Sequence, residues 1–228
     1  MEVSQAIRAR RSTRSFLPDP VSRRDMEGIL DTARWCGSFV NCQPWKFTVL
    51  GGAVMAEWRD RLWQMFCDNQ TEEKEYTMGP VPPPSPWGER GNAFREAIDG
   101  LMFPPGIDHW QERKDAYVRS GIVVRDAPNA IIIHMDREMA QSPLHLLAAG
   151  GVTQAIALAA QERGLGTCIM GKPVESPRLL RSLTGIPESD LILCCVAVGK
   201  ANPNGLINSL PRTRASVEEL TAWRGVEA

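Results

Sequence analysis

Residues 7–14 read Ile-Arg-Ala-Arg-Arg-Ser-Thr-Arg, which places four arginines and two hydroxyl side chains in eight positions without an acidic residue. A second pair of arginines, Arg212 and Arg214, follows in Leu-Pro-Arg-Thr-Arg near the other end of the sequence. Guanidinium groups with hydroxyls between them suit an anion such as a phosphate, and a solvated basic helix end is the alternative. If both stretches bind one anion, the fold must bring the two ends of the chain together.

The composition is that of an ordinary globular protein and limits the functions that the chain can have. Its 228 residues suffice for one large domain or two small ones. The formal net charge of −1 speaks against a general binder of polyanions, so we expect no nucleic-acid partner. No apolar run reaches the roughly 18 residues that a membrane helix needs, so we expect no membrane partner.

The cysteines and histidines indicate neither disulfides nor a metal site. The six cysteines follow a start without the apolar stretch of a secretory signal, so we expect reduced thiols and a cytoplasmic location. No Cys-x-x-Cys pair exists, and His109, His134 and His145 are scattered among apolar neighbours. We therefore expect no bound metal.

Apolar periodicity and turn residues predict that helices and strands alternate along the chain. Ser22 and Ser142 are the expected N-caps of two of these helices. Helices are predicted over residues 3–11, 22–36, 53–68, 143–163 and 176–183, and strands over residues 45–50, 129–134, 166–171 and 191–199. With no internal repeat, this order favours a single layered α/β or α+β domain over residues 1–228.

The segment of about residues 70–125 interrupts this alternation and is rich in proline and aromatic residues. Residues 82–84 are three prolines and predict a rigid polyproline segment. Residues 90–99 and 109–120 could each form a helix. An insert of this length is usually a lid or a partner surface. A surface excursion without a role is the alternative.

Two other stretches suit a flat ligand. In residues 38–45, Asn41 and Gln43 are two positions apart, so an extended chain would point both amides toward the edge of a heterocycle. A turn stabilised by Asn41 is the alternative. The glycines of residues 164–171, Gly-Leu-Gly-Thr-Cys-Ile-Met-Gly, would let the backbone approach such a ligand, or would simply cap a helix. Here Gly-x-Gly follows a helix and precedes a strand, the reverse of a dinucleotide-binding turn.

The order of these motifs resembles the FMN-dependent nitroreductase family. Arg-Arg-Ser-x-Arg-x-Phe stands at residues 10–16, and Ser-x-x-Asn-x-Gln-Pro-Trp at residues 38–45. A long apolar helix ending in Gly-Leu-Gly-Thr comes next, followed by Val-Ala-Val-Gly at 196–199 and Leu-Pro-Arg-Thr-Arg at 210–214. The resemblance covers about residues 3–223 apart from the insert. It implies an α+β, three-layer α-β-α fold with a central, mainly antiparallel sheet, and a homodimer with FMN at the subunit interface.

The resemblance also implies which residues bind FMN. Arginines from both ends of the chain would hold the phosphate, except that Arg14 would lie near the flavin N1/O2 edge. Residues 38–43 would reach the flavin from the other subunit, and the backbone near residue 170 would approach N5. The implied cofactor-binding residues are Arg10, Arg11, Ser12, Arg14, Ser38, Val40, Asn41, Gln43, Met170, Gly171, Arg212 and Arg214. The family usually has small residues where this chain has the bulky Phe39.

The implied activity is the reduction of nitroaromatic or quinone-type acceptors by NADH or NADPH. In the family, a nicotinamide hydride enters at flavin N5 and a small aromatic acceptor then takes the place of the nicotinamide, without a protein acid or base. The insert would select this acceptor. Arg90, Arg95 or Arg113 could pair with a carboxylate on an aromatic acid. The expected substrate pocket consists of Phe39, Trp87, Phe94, Phe103 and Trp110.

Other functions remain open at this point. Relatives in the same family dehalogenate iodotyrosine, fragment FMN or oxidise peptide heterocycles. The dehalogenases hold their substrate with a Glu, a Tyr and a Lys, for which Glu73, Tyr76 and Lys114 are available. A flavin-binding sensor that kept the fold and lost turnover is an alternative of another class.

Overall fold

The fold is built on a four-stranded antiparallel sheet. The computed structural model describes residues 2–76 and 84–226, so most of the predicted polyproline segment lies outside the described residues. The strands are β1 (Trp45–Leu50), β2 (Asn129–Asp136), β3 (Gly166–Met170) and β4 (Asp190–Gly199). They lie in the order β1-β2-β4-β3, and each neighbouring pair is antiparallel.

Eight α-helices connect and cover these strands in the described part of the chain. They are α1 (Val3–Ala9), α2 (Arg23–Ala33), α3 (Gly52–Cys67), α4 (Pro86–Met102), α5 (Trp110–Ile122), α6 (Pro143–Glu162), α7 (Pro177–Thr184) and α8 (Val217–Leu220). Both helices predicted in the insert are therefore present. They are longer than predicted, and Ser85 starts α4 by accepting a hydrogen bond from the Gly88 amide at 3.0 Å.

The central strands are buried on both faces, so their side chains alternate between two apolar cores. Ala130 and Ile132 of β2 face α3 and α7, where Trp58 and Leu180 are fully buried. The next residues of the same strand face α2 and α6, against Ile29 and Ile156. Helices thus lie on both sides of the sheet, and the predicted three-layer α+β fold is confirmed.

The segment after α1 extends the sheet beyond β3. The Thr13 amide donates to the Thr167 carbonyl at 2.8 Å, and Ser12 forms a parallel bridge to Thr167. A Cβ on Gly166 would lie 2.3 Å from Thr13 Oγ1, so only glycine permits this crossing. Gly164, at φ +70°, ends α6. These two glycines therefore serve the fold, which agrees with the helix-cap alternative.

Hydrogen bonds of Asn208 connect the N-terminal and C-terminal segments of the chain. Its side-chain oxygen accepts from the amides of Arg14, at 2.8 Å, and Ser15, at 3.2 Å. Its side-chain nitrogen donates to the Ser15 carbonyl at 2.8 Å. Arg11 adds a bond from Nη2 to the Leu210 carbonyl at 2.7 Å. The fold thus brings the two arginine-rich stretches side by side.

One of the two predicted caps is confirmed. Ser22 caps α2, since its hydroxyl accepts from the Asp25 amide at 3.1 Å. Ser142 stands at the start of α6, but its side chain makes no capping hydrogen bond, so that part of the prediction is wrong. Its carbonyl accepts instead from the amides of His145 and Leu146.

Helix α6 contradicts the expectation that no apolar stretch reaches the length of a membrane helix. Within the described residues, only this helix is long and apolar enough to cross a membrane by length and composition. It also buries Ala148, Val152, Ile156 and Ala160 against the sheet and α2. A core helix with small and β-branched residues on its buried side passes the same test of composition.

Candidate functional site

The arginines from both ends of the chain line one cavity of about 620 Å³, which we call the arginine cavity. Its volume lies in the range of roughly 300–1,000 Å³ that is typical of small-molecule sites. Helix α4 closes one side with Arg90 and Phe94. The sequence-predicted residues that line it are Arg10, Arg11, Ser12, Arg14, Arg212 and Arg214.

The positive charge of the arginine cavity is largely uncompensated. Burial, and then the like charges of Arg214 and Arg212, lower the pKa of Arg10. Burial lowers the pKa of Arg11 too. The carboxylate that lines the cavity, Glu219, lies 3.3 Å from Arg90 and is thereby engaged. A site that repels its own cations favours a bound anion.

Backbone carbonyls fix the guanidinium groups. Arg212 donates from Nη1 to the carbonyls of Ala9, at 3.3 Å, and Arg10. Arg11 donates from Nη2 to Leu210. Because a guanidinium carries five N–H donors, each side chain keeps donors for a ligand after these bonds. The arrangement fits the oxygens of a phosphate.

Arg14 lies between the arginine cavity and a second cavity of about 380 Å³ beside the end of β3, which we call the β3 cavity. Its guanidinium carbon is 5.1 Å from the centroid of the Phe94 ring. Its Nη1 lies 3.4 Å from the Ser12 carbonyl. Met170 and Gly171 also line the β3 cavity. The stacked arginine thus separates the basic site from the end of the strand.

Residues 38–43 form an exposed turn, and the predicted extended conformation is wrong. Val40, Asn41 and Gln43 have φ values of +44°, +56° and +46°. The two amides do lie together, because Gln43 Nε2 is 3.3 Å from Asn41 Oδ1. Ser38 Oγ accepts from the Gln43 amide at 3.0 Å. This segment lines neither cavity, and such strained, exposed backbone is typical of functional loops.

The predicted substrate pocket is brought together only in part. Phe94 lines both cavities. Phe103 packs edge-on against Trp110, with ring centroids 6.4 Å apart, and neither ring lines either cavity. Trp87 is 64% exposed. Phe39 lies 6.4 Å from the His145 ring, away from both cavities. Of the five predicted residues, only Phe94 lines a cavity, and Tyr117 is a second aromatic residue that lines the β3 cavity.

Sequence reasoning did not identify Arg125, which lines the β3 cavity. Of the arginines suggested to bind a carboxylate, Arg90 pairs with Glu219 and Arg95 donates to Asn92 Oδ1 at 2.8 Å. Arg113 lines neither the arginine cavity nor the β3 cavity. No local pattern distinguishes Arg125 from these residues, because its position depends on a buried turn before β2.

Comparison with known proteins identifies the family. A family model described as the nitroreductase family matches residues 7–200. The chain belongs to the nitroreductase family. The family predicted from the order of the sequence motifs is thus confirmed, and with it the class of oxidoreductase enzymes.

The relatives of this nitroreductase extend over nearly its whole length. It is 29% identical over 97% of its length to a chloronitrobenzene nitroreductase of Comamonas testosteroni, covering 96% of that protein. It is 28% identical over 97% of its length to a 4-nitrobenzoate reductase of Pseudomonas putida, covering 95% of that protein. A solved FMN- and NADPH-dependent nitroreductase from Sphigopyxis sp. strain HMH superposes with a TM-score of 0.88 at 24% identity, covering 99% of this chain and 100% of that one. This structural similarity shows that the two proteins share a fold.

Proposed function

We propose that this nitroreductase binds FMN and uses NADH or NADPH to reduce nitroaromatic or quinone-type acceptors. The observation that carries the proposal is the arginine cavity, where cations from both ends of the chain converge without a free carboxylate. The names of the curated relatives, which include a chloronitrobenzene nitroreductase and a nitrobenzene nitroreductase, support the same chemistry.

The residues present fit FMN. Its phosphate needs several hydrogen-bond donors and an excess of positive charge. Arg10, Arg11, Arg212 and Arg214 supply both, and Ser12 adds a hydroxyl. When bound there, FMN would supply the redox chemistry, namely hydride transfer from a nicotinamide and electron transfer to an acceptor.

The side chains around the ring would bind and orient, and none needs to transfer a proton. Arg14 is held against Phe94 and places a fixed positive charge at the junction of the two cavities. Such a charge stabilises negative charge that develops nearby. The backbone at Met170 and Gly171 would line the other side.

We further propose that the enzyme is a homodimer with one FMN site at each side of the interface. Helix α1 buries no residue, and it lies against α6 together with the turn at residues 39–41. Apolar side chains on this side of the molecule are strongly exposed, among them Val3, Trp35, Val40 and Leu147. A patch of this kind marks a protein interface. A partner there would bring its own residues 38–43 to the flavin.

The roles of the insert and the location of the protein are part of the same proposal. Residues 70–125 would form a lid within one domain of residues 1–228, because α4 contributes Phe94 and Arg90 to the arginine cavity. The cysteines at positions 36, 42, 67, 168, 194 and 195 are free, in agreement with a cytoplasmic location.

A spectrum of the purified protein tests the function. We expect bound flavin that gives a yellow colour, is bleached by NADH or NADPH without oxygen, and recovers when a nitroaromatic or quinone is added. Flavin that binds but is not bleached by either nicotinamide would favour a sensor. Protein that does not take up FMN would overturn the proposal.

The dehalogenase alternative gains no support from the geometry. Tyr76 donates its hydroxyl to the Leu193 carbonyl, and burial raises its pKa to about 12. The Lys114 ammonium lies 4.5 Å from the centroid of the Trp110 ring. Glu73 is exposed. Two of the three side chains that would clamp an amino acid are thus engaged elsewhere.

A further inference from the structure

A third basic cavity lies beside the proposed flavin site and has no role in it. Its volume is about 410 Å³, and it lies between helix α5 and the turn at residues 205–207, so we call it the α5 cavity. It shares Arg14, Tyr117 and Arg125 with the β3 cavity, and these residues form a common wall. Its volume is within the range typical of small-molecule sites. This position suits the part of a ligand that extends beyond the flavin ring.

Arg113 distinguishes the α5 cavity from the proposed flavin site, because it lines only the former. Within residues 2–76 and 84–226, its side chain has no ion pair and no hydrogen bond. One face of α5 lines the cavity with residues that are three or four positions apart, namely Arg113, Ala116, Tyr117 and Ser120. The helix thus directs an unpaired guanidinium toward this space.

The positive charge of the α5 cavity exceeds its negative charge. Arg14, Arg113 and Arg125 line it, and Asp126 is the one carboxylate among its described lining residues. Asp126 Oδ1 lies 3.0 Å from Arg119 Nη1 and is thereby engaged. Guanidinium groups that surround one space favour an anion with several oxygens, such as a pyrophosphate.

The cavity on another side of the β3 cavity suits an anion less. It has a volume of about 320 Å³ and shares Ile122 and Lys172 with the β3 cavity. Its two lysines, Lys74 and Lys172, both pair with Glu175, at 3.0 and 2.7 Å. Glu72 lines it as well, so its positive charges are balanced. Of these two neighbouring spaces, the α5 cavity is the one that favours an anion.

We propose that the α5 cavity binds the ADP moiety that NADH and NADPH share, and that Arg113 contacts its pyrophosphate. This rests on the proposed function, in which the nicotinamide ring lies against the flavin. The phosphate of FMN would occupy the arginine cavity, so the pyrophosphate of the cosubstrate needs a separate group of cations. Apolar side chains that line the α5 cavity would pack against the adenosine, namely Met102, Leu206 and Ile207.

Anaerobic flavin reduction by three hydride donors tests the proposal. NADH and NADPH carry the ADP moiety, whereas N-benzyl-dihydronicotinamide carries the same reducing ring without phosphates. We expect Arg113→Gln to raise the concentration of NADH or NADPH that gives half-maximal reduction about 10- to 100-fold, the range for one charged hydrogen bond. Reduction by the benzyl compound should be unchanged. Arg113→Lys should recover part of the loss, because it keeps the charge without the planar fork.

Two further variants control for charge and for damage to the fold. Lys114→Gln is the matched control, because it removes the same charge from the next residue of α5, which is exposed and does not line the cavity. It should leave reduction by all three donors unchanged. Ala116→Glu adds a carboxylate at an exposed position on the face that lines the cavity. It should weaken both dinucleotides and spare the benzyl compound, without removing a native contact of Arg113.

Calorimetric titration of the FMN-loaded protein with ADP measures the site without turnover. We expect ADP to bind equally well to the unaltered protein and to Lys114→Gln. It should bind about 10-fold more weakly, or worse, to Arg113→Gln.

The outcomes distinguish this proposal from the proposed function. Equal effects of Arg113→Gln on the benzyl compound and on the dinucleotides would overturn the proposal alone, since the residue would then act on the flavin or on the fold. ADP binding that is unchanged in Arg113→Gln would also overturn it. If none of the three donors reduces the flavin, the proposed function fails, and ADP binding that depends on Arg113 still supports the anion site.

Discussion

At the scale of single residues, Arg14 and Arg212 occupy one cavity but have different neighbours. Arg14 stacks on Phe94 and also lines the β3 cavity. Arg212 lines only the arginine cavity and donates to the carbonyls of Ala9 and Arg10. In the proposed FMN site, Arg14 would act on the flavin ring and Arg212 on the phosphate.

We therefore expect Arg14→Ala to retain much FMN but to slow its reduction by NAD(P)H about 10- to 100-fold, because a preorganised charge is lost. Arg212→Ala should chiefly weaken FMN binding, by about 10- to 100-fold for a charge-assisted contact. Fluorescence titration measures FMN binding, and anaerobic stopped-flow absorbance measures the rate of flavin reduction. Equal loss of FMN in both variants would contradict this division.

The hydrogen bonds of Asn208 predict that this residue stabilises the fold. It links the amides of Arg14 and Ser15 to the C-terminal segment. We expect Asn208→Ala to lower the free energy of unfolding by about 2–4 kcal/mol, since each lost hydrogen bond contributes roughly 0.5–1.5 kcal/mol. Chemical denaturation of the apoprotein measures this. Asn204→Ala, at an exposed position, is the control and should change it by less than about 0.5 kcal/mol.

At the scale of strands, a buried polar group links β1, β2 and β4. His134 Nδ1 lies 2.7 Å from Asp190 Oδ2, and Thr48 Oγ1 lies 3.0 Å from His134 Nε2. Lys46 Nζ lies 2.7 Å from the other oxygen of Asp190. Burial lowers the pKa of His134. The hydrogen bond to Asp190 opposes this shift, and the positive charges of Lys46 and Arg181 add to it. Burial would raise the pKa of Asp190, but the hydrogen bonds of this carboxylate to Lys46 and His134 outweigh burial and lower the pKa.

Both shifts predict that acid destabilises the fold. Since His134 has a lower pKa folded than unfolded, the unfolded chain binds more protons as the pH falls below about 6.5, and stability declines. The slope from one group is at most about 1.4 kcal/mol per pH unit. Asp190 adds a second loss below its ordinary value near 3.8.

Urea denaturation between pH 7.5 and about pH 5 tests the contribution of His134. We expect His134→Gln to flatten the decline below pH 6.5. His109→Gln, with a side chain that is 73% exposed, is the control and should leave the slope in place. A slope unchanged in His134→Gln would refute the assignment.

The elements differ in how far the sequence determines them. Strand β1 was predicted at its observed bounds, because Pro44 and Gly51 flank a run of aromatic and β-branched residues. The turn at residues 124–126 could not be predicted, since local preferences oppose positive φ at a valine and burial imposes it. The positive charge of the arginines in the site could be predicted from the sequence. Their partner Phe94 and the neighbouring Arg125 depend on how the insert packs.

At the scale of the whole molecule, the distribution of exposed apolar side chains is uneven. On the side of α6, residues Leu147 and Val40 are 73% and 78% exposed, and Trp35 is 79% exposed. Helix α3 covers the opposite face of the sheet. The proposed second subunit would cover the α6 side and bring its residues 38–43 to the flavin. Assembly and cofactor binding would then be linked, because neither subunit holds a whole site.

Replacing Leu147 by glutamate tests this link. A carboxylate buried without a partner costs several kcal/mol, so we expect Leu147→Glu to raise the dimer dissociation constant about 100-fold or more and to weaken FMN binding. Light scattering and flavin fluorescence measure the two effects on the same samples. Val54→Glu places the same charge at a position that is 41% exposed on α3, and it should change neither quantity. If Leu147→Glu became monomeric and kept its full affinity for FMN, the arginine cavity of one subunit would suffice for the cofactor, and the turn at residues 38–43 would need another explanation for its strain.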